Sequence, residues 1–305
     1  MKNTVIAINI LHYKDYHVTS RCIDSLLALQ VPLNCQAKIV VIDNGSLNNS
    51  LEELKRRYSS QPLTFIESQQ NLGFAKGNNL GFDYAKEVLN ADIAIFLNND
   101  IEIKQPDFLK KTIDCLQKNN IDVLCPDVYV PQTNWHQSPL CDGKDMPEYI
   151  TGIVEKSRSI LAKSMNYTLL EKAKKTISNL LINFPPYMDY LIKKNTANIV
   201  SSDWEYSRSN IVPQGACVIV NKHFIQNMQY IFHPDTFMYF EECILKVMCD
   251  SNNFQTYYCH NIQVLHHHGC ITKESIKKQS KCASHRVAKQ TLESYEILKD
   301  LQNTI

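Results

Sequence analysis

No stretch of the 305-residue chain approaches the roughly 18 consecutive apolar residues that a bilayer-spanning helix requires, so an integral helical span is not expected. Nor is there a surplus of either charge. The 32 Lys and Arg against 31 Asp and Glu leave a net +1, whereas binding to a phosphate backbone normally calls for a basic excess, so nucleic acid is not an expected partner. The eleven cysteines are odd in number and include no CxxC pair, which removes a disulfide framework and a zinc knuckle. They read as small buried hydrophobes in a reducing, cytoplasmic setting. The opening Met1-Lys2-Asn3-Thr4 is followed by an apolar run too short and polar for a signal peptide. Neither GxGxxG nor GxxxxGK[ST] occurs, and the first strand runs into Leu11-His12-Tyr13-Lys14 instead of glycines, which disfavours a nicotinamide-binding Rossmann enzyme. Internal repeats and low-complexity tracts are also lacking.

What is present is an alternation of strand-like and helix-like patterns over the first 120 residues. Val5 to Leu11, Lys38 to Ile42, Leu63 to Ile66 and Ile93 to Leu97 read as strands. Val18 to Leu29, Asn48 to Tyr58, Gly73 to Val88 and Pro106 to Lys118 carry helical spacing, the last with Pro at a first helical position. Such succession predicts an α/β fold with a mostly parallel central sheet flanked by helices. From about Leu140 to Asp203 the pattern becomes helical and basic without strands, centred on Val154 to Ile182. Between Thr151 and Val200 there are eight Lys and Arg against three Asp and Glu. A strand resumes at Gly215 to Val220, a helix follows near Asn221 to Met228, and the tail from Lys273 to Leu301 is helical.

Ligands of doubly wound sheets sit beyond the carboxyl ends of the strands. There the chain places His12 and Tyr13, then Asp43-Asn44-Gly45-Ser46, then Asn71-Leu72-Gly73-Phe74, then Asn98-Asn99-Asp100. Each taken singly is an ordinary turn. Four on one edge of one sheet read as a binding site. Asp100 ends an apolar strand beside two uncharged amides and is placed to hold a divalent cation against a diphosphate. Asp43 is placed to accept hydrogen bonds from a pyrimidine ring N–H or a ribose hydroxyl. The Asn71 to Asn79 loop, with Gly73, Lys76 and Gly77, lets backbone approach a ligand at a helix start. In His266-His267-His268, neighbours on a strand point to opposite faces, so at most two share an ion, and no cysteine has suitable spacing for zinc.

These motifs, with Gly215-Ala216 and Phe237-Met238-Tyr239-Phe240-Glu241-Glu242, resemble in order those of family 2 glycosyltransferases, nearest the bacterial rhamnosyltransferase-like enzymes of surface-polysaccharide assembly. The resemblance covers residues 4 to 270 apart from the basic insertion. It implies a GT-A fold with a helical insertion and a C-terminal helix. The expected division is a catalytic domain over 1–270, comprising a nucleotide-sugar half (1–125), the insertion (140–205) and an acceptor and catalytic-base half (206–270), then a helical extension over 271–305.

The same resemblance implies inverting transfer of a hexose or deoxyhexose, rhamnose first, from a dTDP- or UDP-sugar to a hydroxyl of a glycan or lipid-linked acceptor, with Mg²⁺ or Mn²⁺. Position by position it makes Asp100 and His266 the metal ligands. Glu242 falls at the catalytic-base position, with Glu241 as the alternative. His12, Tyr13, Asp43, Asn71, Gly73, Lys76, Asn79, Asn98, Asn99, Gly215 and Ala216 fall to the donor. Cys243-Ile244-Leu245-Lys246 departs from the acid- and Arg-bearing pattern that often follows the base, which leaves a catalytically silent nucleotide-sugar-binding module as the rival reading. The insertion, with Ile177, Leu180, Leu181, Ile182 and Phe184, and the lysines Lys273, Lys277, Lys278 and Lys281 suggest peripheral contact with the inner face of the cell membrane.

Overall fold

The structure is a computed structural model that describes residues 3–163, 203–267 and 281–304. Its first half follows the alternation in the sequence: β1 (Thr4–His12), α1 (Tyr16–Leu27), β2 (Cys35–Asp43), α2 (Ser50–Arg57), β3 (Leu63–Glu67), α3 (Gly73–Asp83), β4 (Ile93–Asn98), β5 (Ile101–Glu102) and α4 (Phe108–Asn119). The remainder contains β6 (Val123–Val130), β7 (Trp135–His136), β8 (Cys141–Asp142), α5 (Met146–Leu161), β9 (Arg208–Ser209), β10 (Ile211–Val212), β11 (Cys217–Asn221), α6 (Lys222–Asn227), α7 (Glu241–Ser251), β12 (Thr256–His266) and α8 (Lys281–Thr304).

The main sheet runs β3-β2-β1-β4-β11-β6-β12-β5. β3, β2, β1 and β4 are parallel, as expected. β11 is antiparallel to both β4 and β6, and β12 is parallel to β6, so the second half of the sheet is mixed. Ile6, Ala7, Ile8 and Ile10 of β1 and Ile95, Phe96 and Leu97 of β4 are buried on both faces. That is why these strands read as continuous apolar runs. α1 starts on Asp15, whose carboxylate accepts the Val18 N–H at 3.0 Å, and it buries Cys22, Ile23 and Leu26 at helical spacing. In α2, Glu52 and Glu53 in the first turn and Lys55, Arg56 and Arg57 in the last oppose the helix dipole favourably.

Several expectations are corrected. Helix α4 begins at Phe108, with Pro106 in the preceding turn. The helix expected to run to Val88 closes with a π turn over Tyr84–Val88. The region expected to lack strands contains β8, which pairs with β10. The middle of the basic insertion, including Ile177, Leu180, Leu181, Ile182 and Phe184, lies outside the described residues, as do Lys273, Lys277 and Lys278. Among the described residues no helix is long and apolar enough to cross a membrane. α8 packs on α5 and α7, burying Ala288, Thr291, Ser294 and Leu298, so the C-terminal helix is part of the domain's core.

Candidate active site

β4 delivers the turn Asn98-Asn99-Asp100 to the carboxyl edge of the sheet, and short pairings hold it there. The Asn98 N–H donates to the Ala216 carbonyl at 3.0 Å, tying the turn to the start of β11. Asn99 Nδ2 donates to Thr19 Oγ1 at 2.9 Å, anchoring it to α1. Beyond the turn, β5 pairs antiparallel with the end of β12, Ile101 opposite His266, and the His267 N–H donates to the Asp100 carbonyl at 3.0 Å. That register places residues 166 positions apart side by side. His266 Nε2 stands 3.3 Å from Asp100 Oδ1, and both side chains are largely buried.

The other ring nitrogen of His266, Nδ1, lies 2.6 Å from the side-chain oxygen of Gln137. A carbonyl oxygen only accepts, so Nδ1 carries a proton; in the neutral ring the Nε2 lone pair then faces Asp100, whereas in the imidazolium Nε2 donates to it. In the neutral form two acceptors face each other and repel unless a proton or a cation lies between them, and an imidazole and a carboxylate are ligands that suit a divalent cation. The pair therefore fits the expected metal. Among the described residues no cluster of three or more His, Cys, Asp and Glu side chains forms a closed metal site.

Across the same edge, α7 opens with Glu241 and Glu242. Tyr239 and Phe240 before it both have left-handed backbone, φ 79° and 64°. Such residues cost on the order of 1–3 kcal/mol each and persist only where neighbours enforce them. Here the Phe237 carbonyl accepts the Phe74 N–H at 2.8 Å and the Met238 carbonyl accepts Ser294 Oγ at 3.1 Å. Gly73, expected to touch the donor, supports this segment instead. Its φ is +82°, and a Cβ there would stand 2.5 Å from the Phe237 carbonyl oxygen.

Glu242 Oε1 accepts the Gly215 N–H at 3.2 Å. A cavity of about 260 Å³ is lined by Glu241, Glu242, Gly215, Ala216 and Asn98, and beyond them by Tyr149, Ile153 and Thr291. Burial pushes both carboxyls up, Glu241 to about 8, and the neighbouring Glu242 charge adds to the rise at Glu241. Asp100 and His266 do not line this cavity, but Asn98, two residues before Asp100, does.

An acid with a raised folded pKa holds its proton more tightly in the native state. Its contribution to stability is largest below the unfolded value of 4.5 and is lost as pH rises towards about 8. Glu241→Gln, which mimics the protonated form, is expected to melt close to wild type at pH 5. At pH 8 it should melt higher by about 3 °C, the shift that roughly 2 kcal/mol produces in a chain of this size. Paired thermal melts across this range check it.

Other expected site residues divide into surface and framework. Tyr13 and Asn71 are exposed and adjacent, and hydrogen bonds from Lys14 and Asn71 lower the Tyr13 pKa. Lys76 is exposed on α3. Asp43 ends β2 with its carboxylate accepting the Ser46 hydroxyl and, at 3.3 Å, the Ser46 N–H. His12, expected on the nucleobase loop, is fully buried, with its ring nitrogens 2.7 Å from Thr19 Oγ1 and 2.8 Å from Ser50 Oγ. Burial lowers its pKa, and its place is under the loops. Asn79, also expected at the donor, clamps the Ile231 and Phe232 backbone through three hydrogen bonds of 2.8 to 3.2 Å. Asn99 is likewise turned to the framework. Sequence reasoning missed Gln137, Tyr149, Ile153 and Thr291. Gln137 carries no motif, because only the pairing of β7 with β6 brings it to His266.

A helix-flanked mixed sheet with acids and a histidine gathered at one carboxyl edge defines a GT-A architecture, and solved structures share it. The mannosyltransferase PcManGT from Pyrobaculum calidifontis, described in complex with GDP-Man and Mn²⁺, aligns over 90% of this chain and 60% of its own, with TM-score 0.53 and 10% identity. TarS 1-349 from S. aureus aligns over 87% and 60%, with TM-score 0.50 and 15% identity. Residues 8–176, just over half the chain, match the model for Glycosyl transferase family 2, and the chain belongs to that family. Among curated proteins, the low-salt glycan biosynthesis hexosyltransferase Agl10 of Haloferax volcanii is 32% identical over 92 residues, 30% of this chain and 28% of that protein. The chondroitin synthase of Pasteurella multocida is 28% identical over 149 residues, 48% of this chain and 14% of that protein. The chain thus spans well under a third of the length of these curated relatives.

Proposed function

We propose that the chain transfers a hexosyl or deoxyhexosyl group, with inversion, from a dTDP- or UDP-sugar to an acceptor hydroxyl in glycan assembly. The observation that carries this is the contact of Asp100 with His266 together with a cavity lined by Glu242, Gly215 and Asn98, where Asn98 lies two residues before Asp100 in the chain. Family membership and the hexosyltransferase relative support the reaction class. The mannosyltransferase described with GDP-Man and Mn²⁺ supports a nucleotide sugar and a divalent cation.

In this reading Asp100 and His266 would hold a Mg²⁺ or Mn²⁺, whose charge would stabilise a departing diphosphate. Tyr13, Asp43 and Asn71 flank the nucleoside, and Asn98 and Ala216 floor the sugar site. Glu242 takes the proton of the acceptor hydroxyl as that oxygen attacks the anomeric carbon from the face opposite the diphosphate. Glu241, held protonated by burial beside Glu242, leaves the ionised role to its neighbour, which the Gly215 N–H and the N-terminus of α7 favour as an anion.

Gly215 then serves the base more than the donor. A Cβ at this position would stand 2.5 Å from Glu242 Oε1, the movable end of a side chain, so Gly215→Ala displaces the carboxylate without breaking the fold. The variant is expected to melt within about 2 °C of wild type and to lose about 10²-fold in transfer rate, the usual cost of misplacing a catalytic group by an ångström. Melting curves and a nucleotide-release assay measure the two.

The test of the function is turnover of a panel of dTDP-, UDP- and GDP-sugars, dTDP-rhamnose included, with Mn²⁺ and with chelator. Metal-dependent release of the nucleoside diphosphate from one donor supports the proposal. A folded protein that binds donors yet turns over none across a broad acceptor panel supports the silent module.

A further inference from the structure

The Nδ1 side of His266 meets one side chain outside every motif in the sequence, and the chain segment that carries it is pinned by backbone hydrogen bonds. Gln137 and His266 are both buried, 9% and 8% exposed, and their contact is 2.6 Å. The Gln137 N–H donates to the Val128 carbonyl at 2.8 Å, and the Val128 N–H to Ser138 Oγ at 3.1 Å. Its neighbour His136 points to the opposite side, as alternate residues of extended chain do. There His136 Nδ1 meets both carboxylate oxygens of the fully buried Asp127 at 2.9 Å each. Gln263 Nε2 donates to the same carboxylate at 2.8 Å. The His136 ring stacks on Trp204, centroids 3.6 Å apart and planes 5° apart.

We propose that Gln137 is a positioning residue. Clamped in place by the Asp127–His136–Trp204 assembly, it fixes His266 as the Nδ1–H tautomer and so presents the Nε2 lone pair beside Asp100. This rests on the reading of Asp100 and His266 as cation ligands, and it adds that their competence depends on a residue touching neither cation nor substrate. An imidazole free to turn, or protonated on Nε2, presents an N–H where a ligand is needed. Partners of this kind typically contribute 10–100-fold in metal affinity.

Two measurements test it, the first on the metal-free protein. In ¹⁵N-imidazole NMR at pH 8, His266 of the wild type is expected as the Nδ1–H tautomer, and Gln137→Met, of similar size but without the acceptor, is expected to give a mixture. Gln137→Glu, which keeps an acceptor oxygen, restores the single tautomer. A wild-type His266 protonated on Nε2, or a Gln137→Met variant with an unchanged spectrum, overturns the proposal.

The second is Mn²⁺ titration in the presence of UDP or dTDP. Affinity is expected to fall about 10–100-fold in Gln137→Met and to recover in Gln137→Glu, while His266→Ala loses at least as much as Gln137→Met. An unchanged His266→Ala refutes the metal assignment itself. A weakened His266→Ala with unchanged Gln137→Met refutes only the positioning role. Melts of each variant without metal separate these results from unfolding, since a purely structural Gln137 would not be rescued by an acidic replacement.

Discussion

Glu242→Gln is expected to lower the transfer rate about 10²–10⁴-fold while leaving donor affinity within about twofold. The substitution keeps the shape of the side chain and an oxygen able to accept the Gly215 N–H, which Glu242 accepts at 3.2 Å, so the wall of the cavity is preserved. What it removes is the capacity to take a proton. Glu241→Gln provides the contrast, because burial and the Glu242 charge already hold that carboxyl at about 8 and neutral at pH 7. It should retain most of the activity. Single-turnover rates for the two variants, each with donor affinity measured in the same buffer, distinguish the carboxylates. If Glu241→Gln abolishes transfer and Glu242→Gln does not, the roles are reversed.

Asp100→Ala should act on binding before chemistry. The carboxylate stands 3.3 Å from His266 Nε2, and removing it takes a negative charge from the place where a cation would be held against a diphosphate. In Mn²⁺ the affinity for UDP- or dTDP-sugar is expected to drop about 10²-fold, as loss of a charged metal ligand implies. In chelator, wild type and variant should bind alike, because the cation that distinguishes them is gone. Calorimetric titration in both conditions checks this. A loss of equal size with and without metal would place Asp100 on the sugar instead.

Much of the fold is legible in the sequence because the physical signals are local. β1, β2 and β4 are apolar runs closed by polar turns, and α1 carries its cap and buried face within one segment. The mixed half is less visible. β6 and β12 lie outside the sequence-predicted strands, and β5, β7 and β8 are two-residue strands that exist only through pairing partners far along the chain.

The candidate site shows the same divide. Of Asp100, His266 and Glu242, expected around one cation, the first two lie side by side because β5 and β12 pair in the register that brings them together, while the cavity at Glu242 is lined by Asn98 and not by either of them. Position beside a motif, by contrast, does not say which way a side chain turns. His12, Asn79 and Asn99 sit at the expected loops yet spend their polar atoms on Thr19, Ser50 and the Phe232 backbone, where buried donors and acceptors must be satisfied. The Cys243-to-Lys246 departure has a packing explanation. Cys243, Ile244 and Leu245 are buried in the core face of α7, and Lys246 is buried with its ammonium on Asp250.

Anomalous diffraction from a crystal soaked with Mn²⁺ and UDP or dTDP tests the common centre most directly. The expected result is one manganese peak in contact with Asp100 and His266, with the diphosphate on it and its free end directed towards the Glu242 cavity. A manganese bound elsewhere, or a nucleotide whose diphosphate lies away from both Asp100 and Glu242, would contradict it.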